Sequence, residues 1–133
     1  MIRYKIISFI IFSAAVAIAG CKDSITGENI DKRIIPATNV SFNKDIQPVF
    51  DVKCNSSSCH DDGRRAGGLS LTSYQNTTSD ATIIVKGFPD NSRLYWAIRP
   101  GASNPMPPLN YPPLTENQIK GIYQWIKEGA MPN

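Results

Sequence analysis

The sequence predicts a small, loop-rich, all-α domain, and three observations predict it. Apolar residues recur at helical spacing in three separate stretches. The last of these opens on a complete capping-box pattern, Thr115-Glu116-Asn117-Gln118. The connections are rich in Gly, Ser, Asn, Asp and Pro and show no sustained two-residue alternation, so little sheet is expected. With 133 residues, 41% of them hydrophobic, the chain suffices for one modest domain plus accessory segments. It is too short for a large α/β enzyme.

Ahead of the first helix, Arg3 and Lys5 precede an apolar run from Ile6 to Ile18 that closes on Ile18-Ala19-Gly20-Cys21. A positive start, an apolar middle and small residues at a cleavage point make a secretory leader. The run falls short of the roughly 20 residues that a helix needs to cross a bilayer. Its closing tetrapeptide resembles the lipobox of bacterial lipoproteins, in which the cysteine thiol is acylated and becomes the first residue of the mature chain. Residues 1–20 then read as a signal peptide and Cys21 as the lipidation site. This implies a bacterial envelope protein anchored by lipid and facing the periplasm or the cell exterior. Removing the leader leaves twelve Lys/Arg against eleven Asp/Glu, so the +3 of the full chain becomes near neutrality and no basic stripe for nucleic acid remains. From Lys22 to about Val40 the sequence is polar and aperiodic, which predicts a flexible tether over residues 21–40 and a folded domain over 41–133.

The first helix is expected from Ile46 to Lys53, with Asp45 as N-cap, Ile46, Val49 and Phe50 on one face, and Pro48 in the first turn, where its missing N–H costs nothing. A second is expected from Ser92 to Arg99 on Leu94, Tyr95 and Ile98, ended by Pro100-Gly101. The third starts at the Thr115 box and carries Ile119, Ile122, Tyr123 and Ile126, with Trp125 widening the apolar face and Gly129 as the residue after the C-cap. Leu69-Ser70-Leu71 permits at most a short extended piece.

The most informative residues are Cys54-Asn55-Ser56-Ser57-Ser58-Cys59-His60, two thiols and the chain's single imidazole, in a compartment where thiols do not stay reduced unless something uses them. Four chemistries use such residues. Cys54 and Cys59 can form a disulfide, leaving a stapled lipoprotein that binds a partner through its proline-rich loop. The three residues can bind zinc, with a fourth ligand drawn from Asp61, Asp62 or a distant residue. Cys59 can act as a nucleophile with His60 as base. The fourth is covalent haem attachment, which needs two thiols for thioether bonds and an imidazole directly after the second to ligate iron; its usual Cys-x-x-Cys-His signature is lengthened here by two residues. The small, polar loop Asn55–Ser58 can bulge outward to keep the two sulfurs at the same separation.

An iron held by His60 needs a second axial ligand to move electrons with little reorganisation, and no second histidine exists. Methionine can serve, and His/Met ligation raises the reduction potential. Met1 leaves with the leader, and Met131 lies two residues from a terminus expected to fray. Met106 remains, in Asn104-Pro105-Met106-Pro107-Pro108, where proline rings stiffen the loop before folding.

The order of helix, Cys-x4-Cys-His, glycine-rich loop, short helix, Met-Pro and capped terminal helix resembles a small class I cytochrome c domain. More narrowly, it resembles the mono-haem domains of bacterial envelope lipoproteins, on Asp45-Ile46-Gln47-Pro48, Gly68-Leu69-Ser70-Leu71, Asn91-Ser92-x-Leu94-Tyr95 and Met106-Pro107-Pro108. The resemblance covers about Ser41 to Asn133. It implies one covalent haem c, with thioether bonds at Cys54 and Cys59 and iron ligation by His60 and Met106. It also implies a first and a last helix that cross and pack, with haem as an internal staple. The function implied is single-electron transfer between redox partner proteins, by a carrier that is not itself an enzyme and has no small-molecule substrate; service as the haem domain of a larger oxidoreductase is the variant of that role. Tyr95, Trp96, Tyr111 and Trp125 are candidates for the pocket wall or for ordinary core packing. Arg64 and Arg65 are candidates for propionate neutralisation or simple surface charge, and Asp61 and Asp62 read as surface charges.

Overall fold

A computed structural model describes residues 26–133; the leader and Cys21 lie outside the described residues. Within them the chain forms five α-helices and no strand: α1 Gly27–Lys32, α2 Gln47–Lys53, α3 Tyr74–Thr77, α4 Arg93–Ile98 and α5 Glu116–Lys127. The all-α, loop-rich class expected from the sequence is what the structure shows.

The first expected helix is longer at its start and capped differently. A wide turn, Phe42–Ile46, runs directly into α2. Ser41 rather than Asp45 is the cap: Ser41 Oγ accepts from Lys44 N–H at 3.2 Å, and Asp45 Oδ2 accepts from Ser41 N–H at 2.9 Å. The two residues satisfy each other's end of the helix in the manner of a capping box. The turn widens to i→i+5 spacing just before Pro48, which has no N–H to continue the regular ladder.

The capping box of α5 forms as expected, with Thr115 Oγ1 accepting from Gln118 N–H at 3.2 Å and Gln118 Oε1 accepting from Thr115 N–H at 2.9 Å. Its other end closes with Gly129 N–H on the Ile126 carbonyl and Ala130 N–H on the Trp125 carbonyl, a pairing that needs the left-handed φ of +98° at Gly129. Helix α4 falls inside the predicted span and is preceded by a 3₁₀ turn, Pro89–Asn91.

The core sits where α5 crosses the Phe42–Lys53 run. Phe42 is its centre, with its ring 5.2 Å from that of Trp125, 5.3 Å from Tyr74 and 6.4 Å from Phe50. Ile46, Val49, Ile122 and Ile126 close around it, all buried, whereas Ile119 is only partly buried. The chain's last residues are held rather than frayed. Trp125 Nε1 donates to the Met131 carbonyl, Tyr74 Oη donates to the Ala130 carbonyl, and the Asn133 carbonyl accepts from Asn43 N–H and Ser41 Oγ.

The described part of the expected tether, residues 26–40, is clamped onto the domain and gives three residues to the core, while its other twelve are exposed. Ile30, Ile35 and Val40 are buried, and polar clamps fix the strand of backbone that carries them. The Asn117 side chain takes both the N–H and the carbonyl of Ile35, and the Glu128 carboxylate accepts from Asn39 and Val40 N–H. Gln118 Nε2 donates to the Ile30 carbonyl. Where this strap crosses α5 there is no room for a side chain, since a Cβ on Gly121 would lie 2.6 Å from Ile35 Cγ2. Ile30, Ile35 and Val40 fall at a five-residue spacing that matches neither a helical nor a strand period, so nothing local marks their burial.

Candidate functional site

Cys54 caps the C-terminus of α2, its N–H on the Phe50 carbonyl at 2.9 Å. The four residues that follow fold into a closed loop: Asn55 N–H also reaches the Phe50 carbonyl, Cys59 N–H bonds the Ser56 carbonyl, and His60 N–H returns to the Cys54 carbonyl at 3.1 Å. Ser56, Ser57 and Ser58 are exposed. The lengthened spacing is thus absorbed as an outward bulge whose two ends are tied together.

After His60 the chain turns back on itself. Ala66 N–H bonds the Cys59 carbonyl, and Gly67 and Gly68 take φ values of +64° and +79°, which only glycine adopts freely. This reversal brings the Leu69 carbonyl to 3.3 Å from His60 Nδ1, and Leu71 N–H bonds the His60 carbonyl at 2.8 Å. With Nδ1–H directed to a carbonyl, Nε2 is the nitrogen with a lone pair to give. Asp62, taken from the sequence as a surface charge, ties down the same reversal: its carboxylate accepts from the Ser70 and Thr72 hydroxyls and from Asn76 Nδ2. Those hydroxyls, Ser70 first, hold its pKa below the ordinary value. Asp61 accepts from Arg64 N–H in a local turn.

Met106 comes from the far side, on the loop between α4 and α5. Its N–H bonds the Ala97 carbonyl of α4 at 2.8 Å, which fixes the start of the proline segment, and its side chain is 42% exposed. One cavity of about 310 Å³ is lined by Cys54, Cys59, His60 and Met106 together, with Pro107 and Tyr111 on its rim. A second, of about 180 Å³, shares Cys54, His60 and Met106 and is walled by Phe50, Leu94 and Ile98. Cys54, His60 and Met106 therefore line both of two mainly apolar cavities, and Cys59 joins them in the larger.

The thiols are not joined to each other. Burial, then the neighbouring Cys59, pushes the Cys54 thiol up to about 12, with Lys53 opposing, so it is a neutral S–H at physiological pH. A buried neutral thiol is a weak resting nucleophile. Among the described residues no three His, Cys, Asp or Glu side chains are grouped so as to hold a metal ion by themselves.

The remaining candidates divide. Tyr111 lines the larger cavity, but Trp125 is wholly in the core and Tyr95 pairs edge-on with Tyr123 away from the thiols. Trp96 is half exposed, its indole N–H on the Asp90 carbonyl. Arg64 and Arg65 line neither cavity, and Arg65 pairs with Asp62. Met131 also lines neither. Two wall residues escaped sequence reasoning. Arg93, at the start of α4, lines the smaller cavity. Lys53, side chain 3% exposed, lines the larger one and is paired with Asp31 of the strap at 2.9 Å. No local pattern marks either: Lys53 is held by Asp31, distant in sequence, and Arg93 reaches the cavity only through the placement of α4.

A family model described as Planctomycete cytochrome C (PSCyt1) matches residues 57–110. The match takes in Cys59, His60 and Met106 and leaves out Cys54, the strap and α5. No curated protein and no solved structure matches the chain.

Proposed function

We propose that this protein is a c-type cytochrome that passes single electrons between redox partner proteins, anchored to a bacterial envelope membrane through lipid on Cys21. The observation that carries the reading is the cavity lined jointly by Cys54, Cys59, His60 and Met106. The cytochrome c match over residues 57–110 supports the cytochrome part of that reading.

The donor set fits the group. Two thiols stand beside an imidazole, and a thioether enters the same cavity from another loop; together these are the residues that one covalent haem c with His/Met ligation consumes. Bound there, haem would supply a one-electron iron couple. The chain's own part is to orient and to shield. The Leu69 carbonyl fixes the His60 tautomer, the Asp62 cluster holds the glycine reversal that supplies that carbonyl, and Phe50, Leu94 and Ile98 keep one wall apolar. An apolar surround with a thioether ligand favours the less charged, reduced iron and so a raised potential.

The test is expression beside a cytochrome c maturation system. The expected product is red, keeps its colour on the polypeptide in acid and organic solvent, and gains the mass of one haem. A colourless protein with a Cys54–Cys59 disulfide would overturn the proposal.

A further inference from the structure

We propose that the proline loop around Leu109 seats on the lipid bilayer that holds the anchor, so that the Met106 side of the site lies against the membrane surface. The inference rests on the reading of Cys21 as the lipidated residue.

The loop has the composition of an interfacial segment. From Pro100 to Thr115 there is no charged residue. Tyr111 N–H bonds the Pro108 carbonyl at 2.8 Å, which closes a turn with Leu109 at its tip, 92% exposed. Tyr111 beside it is also exposed, and a tyrosine ring suits the headgroup level, apolar in body and polar at its end. Pro107, Pro108, Pro112 and Pro113 carry no N–H, so the segment brings few unpaired donors into a water-poor interface. Among the described residues, nothing covers this leucine at the head of its uncharged turn.

Chain geometry turns this loop toward the bilayer. Gly27, where α1 begins, lines the same cavity as Pro107, Pro108 and Tyr111, and Lys53 joins the two sides by bonding both Asp31 and the Pro113 carbonyl. From Cys21 to Gly27 is six residues, at most about 20 Å of chain. A domain of this size has a radius of gyration of about 13 Å, so the tether is shorter than the domain is wide. The strap is clamped from Ile30 to Val40 and yields no further slack. The face that holds both Gly27 and the proline loop is therefore the one within reach of the membrane.

The test uses the full acylated, haem-loaded chain on phosphatidylethanolamine/phosphatidylglycerol vesicles. Asn110→Cys keeps Leu109 and adds the only free thiol, since the other cysteines are consumed. A polar, membrane-impermeant maleimide should modify it several-fold more slowly than it modifies Lys127→Cys, whose position lines none of the cavities shared with the loop. Adding Leu109→Asp should restore the fast rate. Equal rates at the two positions, with intact mass showing acylated Cys21, overturn the docking face and leave the anchor reading standing. Protection that appears only when membrane protein is added also overturns it, in favour of a protein partner. Absence of acylation and of vesicle co-sedimentation overturns the anchor reading and the docking with it, and is told apart by the mass.

Discussion

The corner where α5 crosses Phe42–Lys53 and the wall where His60 meets Met106 are built from the same chain by opposite means. At the corner, side chains pack on side chains: Phe42, Phe50 and Trp125 touch ring to ring, and helix ends are closed by caps at Ser41, Thr115 and Gly129. At the wall, backbone hydrogen bonds hold loops in place around two cavities, and Met106 is substantially exposed. One region is complete with protein atoms alone. The other lines two cavities that the proposed haem would occupy, so the two should respond differently to mutation and to loading.

The comparison is broken most severely at the corner. Trp125→Ala should cost about 3–5 kcal/mol of stability whether or not haem is attached, because the cavity it leaves has nothing to fill it. Chemical unfolding of loaded and unloaded chain checks this, and a cost confined to the loaded form would contradict the division. Gly121→Ala should cost less, about 1–3 kcal/mol, because the new Cβ collides with Ile35 and the strap must shift. Limited proteolysis within residues 30–40 should rise in parallel.

At the wall the expectation reverses. In the unloaded chain, His60→Ala should change stability by less than about 1 kcal/mol, since the ring is only partly buried and makes one long hydrogen bond. In the loaded chain, His60→Ala should remove the low-spin visible spectrum. Met106→Ala should keep covalent colour but lower the midpoint potential, read by redox titration.

The smallest effect is the strap's response to acid. Burial pushes the Glu128 carboxyl up, but bonds from Gln124 and from Val40 and Asn39 N–H outweigh it, and its pKa lies below the ordinary 4.5. A carboxyl depressed in the fold contributes stability above its unfolded pKa and loses it as pH falls through the folded one. Protection factors at the Asn39 and Val40 amides, exchange rates corrected for the intrinsic pH dependence, should therefore fall in acid, and Glu128→Gln should flatten that dependence.

Much of this was legible in advance. The α5 helix carries its start, face and stop within fifteen residues, from Thr115 to Gly129, so local signals sufficed. Cys54, Cys59, His60 and Met106 could be selected because the chain has a single histidine and few sulfurs. The first helix lies where its spacing predicts but is capped by Ser41 instead of Asp45: both are cap-forming residues, and only the bonds that Ser41 Oγ accepts from Lys44 N–H and Asp45 Oδ2 accepts from Ser41 N–H show which leads. The strap was missed because what buries Ile30, Ile35 and Val40 is a surface supplied some 80 residues later by Asn117, Gln118, Gly121 and Glu128.

By itself, then, the sequence determined the all-helical class, the helix carrying the capping box and the choice of Cys54, Cys59, His60 and Met106 as candidate donors, because each is written in the spacing or scarcity of residues along the chain. Only the tertiary structure decided that those donors share one cavity, that the lengthened cysteine loop bulges outward, and that the polar-looking segment before Ser41 is part of the core. Each of these depends on which distant surface a residue meets, and that is set by packing rather than by neighbours in sequence.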